Sequence, residues 1–563
     1  MTGIIASNIT SPLGFTTEEN YIAVKQGNSS LRTVSSWGEV PVRCCVSQFS
    51  PEQKESFALE GFTPFESLVI RSVSEALTHA DVDMTSERTV FILSTTKGNV
   101  GQLSVDPESD SMYLSPGSAA LKIGSYFGMR TQPLVVCNAC ISGTNAQILA
   151  DRLISSGSFD TAVVCGADCL TDFTLAGFTS FKALSPYPCR PFDIDRLGLN
   201  LGEAAATVVM RRVDPCSDCW KLLSGALDND AYHVSAPSPS GDGVLRAILE
   251  CIDGRDMADV ATVTAHGTAT MYNDQMESKA IEAAGLGNIP VTAYKGCFGH
   301  TLGAAGILES IITMRSLDDG LLLPVVGYEE AGVSGRISVC DRLQSTQKHS
   351  FIKIISGFGG CNGAALFSRS SCVSPDSVPA CSMEVRHSAR ITPSSACLDG
   401  VEIAVSTSGR QLLTEVFKTC LDDGPKFYKM DGFSRLAYLA AALLIKADDH
   451  DSGQLALLFF NQSGSLIQDR EHLRTFMGCN DFYPSPGTFL YTLPNVVMGE
   501  IAMKYGVKGE TSLIMLPSKD HNLMNEVLRA TADFTSSPTI ITGWVECSSE
   551  ETFEAELNLI TKN

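Results

Sequence analysis

The sequence predicts a layered α/β protein whose functional residues gather where strands end. Three observations carry this reading. Strand-like apolar runs alternate with segments of helical period, four separate strand ends are followed by cysteine, histidine or glycine-rich residues, and the last third of the chain repeats the spacing of the first. Alternating strands and helices build a mainly parallel sheet with helices on its faces, and such sheets place their sites at strand ends.

The central stretch runs from Leu134 to Thr144, where an apolar β-branched run breaks at a cysteine and small residues open a helical segment with Ala146, Ile148, Leu149 and Leu153. This is the pattern of a strand-to-helix elbow that presents a nucleophile, and it puts Cys140 at the elbow. Unpaired N–H groups at a helix start favour a thiolate there, which is the expectation; the plain alternative is a small buried hydrophobe.

Taken in order, the chain begins with a short strand, Ser11-Pro12-Leu13-Gly14 and a helix near Glu18 to Lys25. Pro64 to Leu77 has apolar residues at helical spacing, Thr89 to Leu93 is a strand, and Ser115-Pro116-Gly117 opens a further helix before the elbow. Thr161 to Val164 is the next strand. Arg190, Asp193, Arg196 and Glu203 read as internal salt-bridge scaffolding. Val260 to Thr264 leads into His266-Gly267-Thr268-Ala269-Thr270, Pro290 to Ala293 into Lys295 and Gly299-His300, and Phe351 to Ile355 into Gly357-Phe358-Gly359-Gly360-Cys361-Asn362.

Composition narrows the function classes. Among 563 residues 44% are apolar and 18% charged, so several cores can be buried, and no apolar run approaches the ~20 residues that span a bilayer. The N-terminal residues read as a first strand rather than an export signal, and nineteen scattered cysteines suit a reducing compartment, so the expected location is the cytoplasm. A net charge of −22 argues against nucleic-acid binding, which needs clustered Lys and Arg.

His266 lies 126 residues after Cys140, and His300 a further 34 on, each beside glycine and following an apolar strand. With Cys140, Gly143-Thr144, His266 to Thr270, Asp274, Glu277, Lys295, Gly299-His300, Glu309 and Gly357 to Asn362, residues 1–370 resemble the β-ketoacyl-acyl-carrier-protein synthases of the elongating Cys-His-His type, in the thiolase superfamily. The resemblance implies a thiolase-like α-β-α-β-α fold and an acyltransferase. Cys140 would take an acyl group from a carrier thioester, with oxyanion N–H groups from Cys140 and Phe358. His266 and His300 would hold the enolate formed when a malonyl thioester loses carbon dioxide. Lys295 and Glu309 resemble the family's supporting ion pair, or equally a buried structural pair, with Asp274 and Glu277 also supporting. Thr268 and Thr270 resemble pantetheine-binding residues, Phe358 a gating aromatic or plain core, and Asp228 to His233 an entrance loop.

The implied partners are an acyl carrier protein and a second ketosynthase subunit, as a homodimer or heterodimer; substrates ride on phosphopantetheine and no cofactor or metal is required. An acidic carrier would need a local basic patch within an overall repulsive charge. Ile141 and Ser142 depart from the family's usual residues after the nucleophile. The pairs Cys137/Cys140 and Cys216/Cys219 have redox or zinc spacing, but the elbow context speaks against that for the first pair. Two rival readings remain: a noncatalytic chain-length-factor-like partner, against which the intact Cys140, His266, His300 and Lys295 speak, and a thiolase using Cys297 or Cys361 as a second active-site thiol.

Residues 371–394, rich in Ser, Pro and Cys, read as a linker. Residues 395–563 repeat the first half: Gly432 to Ile445 matches Pro64 to Leu77, Leu455 to Phe460 matches Thr89 to Leu93, and Ser485-Pro486-Gly487 echoes Ser115-Pro116-Gly117. Twelve residues after Gly128 comes Cys140, and twelve after Gly506 comes Ser518; Gly543 answers Gly166. The expectation is a degenerate ketosynthase-like half-domain without a nucleophile or histidine motifs, in a packing role.

Overall fold

The computed structural model describes the whole chain except Glu39, residues 107–110, 370–380, Asp423, His450, residues 478–481 and Asn563. The first half-sheet comprises β1 (Thr2–Thr10), β2 (Thr89–Ser94), β3 (Leu134–Val136), β4 (Thr161–Asp168) and β5 (Ala204–Arg212). Its helices are α1 (Pro64–Leu77), α2 (Pro116–Tyr126) and α3 (Ser142–Ser155). α1 starts where the sequence places it because Thr63 and Glu66 cap it reciprocally and Pro64 fills a first-turn position that needs no N–H. Burying Phe65, Leu68, Val69 and Val73 along one face then anchors it, at about 1.5–3 kcal/mol each. The strand order is β1–β5–β4–β2–β3, with β4, β2 and β3 parallel.

The second half-sheet comprises β6 (Trp220–Asn229), β7 (Val260–Thr264), β8 (Pro290–Thr292), β9 (Ser350–Gly357) and β10 (Cys361–Ser368), in the order β6–β10–β9–β7–β8. With it come the helices α4 (Met271–Ala283) and α5 (Ala305–Asp318). α3 and α5 lie between the two half-sheets and touch both. Their backbones meet closely: a Cβ on Gly143 would stand 2.8 Å from the Gly303 carbonyl oxygen, and one on Gly306 would stand 2.5 Å from the Thr144 nitrogen.

The third set of elements is β11 (Met383–Thr392), α6 (Gly432–Ala447), β12 (Leu455–Asn461), α7 (Pro486–Leu490), α8 (Val496–Tyr505), β13 (Thr511–Met515), α9 (His521–Phe534), β14 (Thr539–Cys547) and β15 (Phe553–Lys562). The linker expectation is corrected here. Residues 371–380 lie outside the described residues, and Met383–Thr392 is a strand. A β-bulge between Val385 and His387 breaks its period of two, which hides inward-facing Ala389 and Ile391 from pattern reading.

The C-terminal strands run β11–β15–β14–β12–β13, the same order and sense as β1–β5–β4–β2–β3. Even the bulge recurs, between Ile4 and Ala6 in β1. The C-terminal strands then join the first half-sheet. β13 pairs antiparallel with β3, Val136 opposite Ile514. Each of these residues lies eight positions past its left-handed glycine, Gly128 or Gly506, so the repeat pairs equivalent residues about a local twofold axis. One apolar core crosses the junction, with Leu68 and Val73 of α1 in the same cluster as Leu436 and Leu439 of α6. Two buried ion pairs tie the halves: Arg152 donates to both Glu510 oxygens at 2.8 Å, and Lys97 reaches Asp469 and the Thr492 carbonyl. Among the described residues no helix is long and apolar enough to cross a membrane.

Candidate active site

Cys140 sits in a single 3-10 turn, Ala139–Ile141, between β3 and α3. Ala139 before it is left-handed (φ +49°), a conformation that disfavours a Cβ and aims the next residue out of the strand direction. The turn is braced from the other half of the molecule. Asn138 Nδ2 donates to Thr511 O at 2.6 Å, its Oδ1 accepts the Leu513 N–H at 2.9 Å, and the Cys137 N–H donates to Leu513 O at 3.1 Å. An amide side chain thus stands in for a strand backbone.

Burial pushes the Cys140 thiol up to about 12, against the pull of Lys295 and of the Cys140 and Phe358 N–H groups, while Asp168 raises it further. Desolvation thus works against the thiolate that the helix start was expected to favour.

The two histidines arrive from the second half-sheet. His266 follows β7 and His300 follows the short helix Lys295–Phe298 after β8. His266 Nδ1 lies 3.1 Å from Lys295 Nζ, and His300 Nδ1 accepts the Leu302 N–H at 3.2 Å. With Nδ1 used as an acceptor in both rings, each neutral imidazole carries its proton on Nε2. His300 Nε2 is buried and meets no hydrogen-bond partner among the described residues. Both rings are held well below the usual imidazole range, by burial first and then by the Lys295 ammonium. The rings meet edge to face with centroids 5.0 Å apart, and the Cys140 sulfur and one nitrogen of each ring lie within 4.8 Å of one another.

Lys295 Nζ also donates to the His266 carbonyl and to Glu309 Oε1, both at 2.6 Å. Glu309 Oε2 pairs with Lys353 at 2.6 Å, so one buried carboxylate serves two buried ammonium groups. Glu277 accepts the His266 and Gly267 N–H groups at 2.6 and 2.8 Å, and Asp274 those of Phe192 and Ala269 at 2.7 and 3.1 Å. These two carboxylates brace the loop that carries His266. Burial raises Asp274 to about 6 and Glu277 to about 7. Three donors within reach of each other also suit a metal, but the ammonium beside His266 opposes a cation there.

A cavity of about 340 Å³ reaches this cluster and is lined by Cys140, His266, His300, Thr268, Thr270 and Phe358. Its mouth carries exposed Leu197, Met271 and Tyr272, the last 80% exposed. The Thr268 and Thr270 hydroxyls bond each other at 2.9 Å. His233 of the expected entrance loop lines the cavity, whereas Asp228 pairs with Arg246 at 2.6 Å. Cys297 and Cys361 do not line it. Cys361 Sγ lies close to Cys140 and donates to the Phe358 carbonyl at 3.3 Å.

Sequence reasoning missed Asn138, Lys353 and Asp168. Asp168 is buried at the end of β4, accepts the Gly303 and Thr96 N–H groups at 2.7 and 3.0 Å, and pins the segment after His300. A carboxylate directly after an apolar strand was the available signal.

The chain matches the family models "Beta-ketoacyl synthase, N-terminal domain" over residues 46–215 and "Beta-ketoacyl synthase, C-terminal domain" over residues 221–329. It is 27% identical over 414 residues to a putative mitochondrial 3-oxoacyl-[acyl-carrier-protein] synthase of Schizosaccharomyces pombe, covering 64% of this chain and 96% of the relative. It is 30% identical over 284 residues to 3-oxoacyl-[acyl-carrier-protein] synthase 2 of Mycobacterium leprae, covering 47% and 67%. Among solved structures, the ishigamide ketosynthase/chain length factor matches 65% of this chain and 98% of its own, with a TM-score of 0.58 at 24% identity. The PfaC keto synthase-chain length factor matches 100% of this chain and 78% of its own, with a TM-score of 0.78 at 14% identity, so the likeness in fold extends through the C-terminal half. The elbow, the two histidine loops and these matches agree: the chain belongs to the β-ketoacyl synthase family.

Proposed function

We propose that this enzyme performs decarboxylative Claisen condensation on acyl-carrier-protein thioesters, in fatty-acid or polyketide assembly, with Cys140 as nucleophile and no separate cofactor. The observation that carries this reading is the convergence of one sulfur and two imidazoles within 4.8 Å, with Nδ1 of each ring already committed as an acceptor.

In the first half-reaction the Cys140 sulfur attacks the acyl thioester, and its proton leaves with the departing pantetheine sulfur. One thiol enters the exchange and one leaves it, so a protonated resting Cys140 is compatible with turnover. The N–H groups of Cys140 and Phe358 receive the charge that grows on the carbonyl oxygen. In the second half-reaction a malonyl thioester loses carbon dioxide, and the electron pair left behind forms an enolate whose oxygen accepts from His266 and His300. Neutral donors suit this step because they stabilise the enolate without fixing it as a salt. The α-carbon then attacks acyl-Cys140, the sulfur departs and is reprotonated, and the chain is two carbons longer.

Lys295, Glu309, Asp274 and Glu277 keep the histidine loops in place, and Thr268 and Thr270 meet the pantetheine arm near the cavity mouth. The C-terminal half is noncatalytic and takes the place of a second subunit, because β13 already occupies the edge of β3 where another copy could pair.

Incubation with an acyl carrier substrate followed by intact-mass measurement tests the reading. One acyl adduct is expected, absent in Cys140→Ala; no adduct at any acyl length rejects it.

A further inference from the structure

The loop that carries Phe358 is held by the C-terminal half of the chain. Gly359 and Gly360 are both left-handed (φ +91° and +71°), so the backbone turns sharply directly after Phe358. Asn495, at the start of α8, donates from Nδ2 to the Phe358 carbonyl at 2.8 Å. A Cβ on Gly359 would stand 2.7 Å from that same nitrogen, and one on Gly499, a turn further along α8, would stand 2.4 Å from the Gly359 oxygen. Helix and loop therefore touch through the Asn495 side chain and through bare backbone at Gly499. Asn495 is 2% exposed, and its Oδ1 meets no partner among the described residues. Buried polar atoms left unpaired are rare enough to require a reason. The Phe358 ring is also contacted indirectly. It packs on Phe178 and Phe181 at 6.0 and 5.4 Å, and both of these pack on Phe489 of α7 at 5.6 and 6.2 Å.

We propose that Asn495 is a positioning residue for the Phe358 N–H. By fixing the carbonyl on one side of Phe358 it sets the torsion that keeps the N–H on the other side aimed at Cys140. This rests on the roles given above to Cys140 and Phe358. It adds that the C-terminal half takes part in acyl transfer through a named side chain. Because the Phe358 N–H serves the thioester at Cys140, while the enolate is served by His266 and His300, loss of Asn495 should separate the two half-reactions.

The experiment uses the full chain with N495D, which keeps the shape but replaces the amide donor by a carboxylate, and N495A, which removes it. At mildly alkaline pH the rate of acyl-adduct formation on Cys140 should fall about tenfold in both, less than the ~10²–10³ lost when such a donor is removed outright. Release of carbon dioxide from a malonyl carrier, measured on enzyme alkylated at Cys140, should stay unchanged. On acidification the N495D carboxyl takes up a proton and donates again, so acyl transfer should recover in N495D and not in N495A. Equal losses in the two half-reactions, parallel pH profiles for the two variants, or wild-type acyl transfer in both would overturn the inference alone. A wild-type chain that forms no adduct overturns the site assignment and this inference with it.

Discussion

The first and last parts of this chain share one topology and differ in what they complete. In the first copy α3 follows the cysteine elbow and has twelve of its fourteen residues buried, because a second half-sheet covers its other face. In the last copy the equivalent helix α9 packs on α3 along one side only and leaves His521, Asn522, Asn525 and Arg529 exposed. The elbow position differs in the same way. Cys140 meets two imidazoles, whereas Ser518 is exposed and accepts a hydrogen bond from Gln132 at 2.6 Å. A strand-to-helix elbow is therefore not a site by itself. The histidines come from β7 and β8, and the C-terminal copy has no second half-sheet among its described residues.

Several experiments would break or sharpen that contrast. The largest effect is expected from ending the chain at residue 380. The edge of β3 and the shared core would be exposed, so residues 1–380 alone should fail to give soluble folded protein; a soluble, active fragment would show that the last copy is dispensable. Next, Arg152→Met leaves Glu510 buried without its partner and should lower unfolding stability by about 3–5 kcal/mol in denaturant titration. Adding Glu510→Leu should restore most of that loss. His300→Ala should slow malonyl decarboxylation by ~10²–10³, about 2.7–4 kcal/mol, while the acyl adduct on Cys140 still forms. Alkylation of Cys140 should accelerate with every step in pH up to at least 10, since burial holds the thiol near 12; a plateau near neutrality would mean a resting thiolate. The smallest effect is expected from Ser518→Cys, which should gain no acyl adduct because that position is exposed and does not line the cavity that reaches Cys140.

Much of this was legible in one dimension because it rests on local patterns. The helix Pro64–Leu77 was announced by its period, Cys140 by small residues after a strand, and His266 and His300 by glycine next to strand ends. What was not legible depends on meetings between distant segments. Asn138 and Asn495 are ordinary asparagines until β13 and α8 are placed beside the elbow and the Phe358 loop. Lys353 lies inside a strand whose apolar neighbours gave no hint of a buried ammonium facing Glu309. The β11 strand was hidden by its bulge, and the upward push on the Cys140 thiol by desolvation, which no residue pattern reports.

The most direct test of the account is to measure molar mass and acyl occupancy on the same active sample. The account predicts that condensing activity travels with the mass of one chain, stays proportional to enzyme concentration on dilution, and carries one acyl group per chain, on Cys140. Activity found only at twice that mass, or falling with the square of concentration, would contradict it.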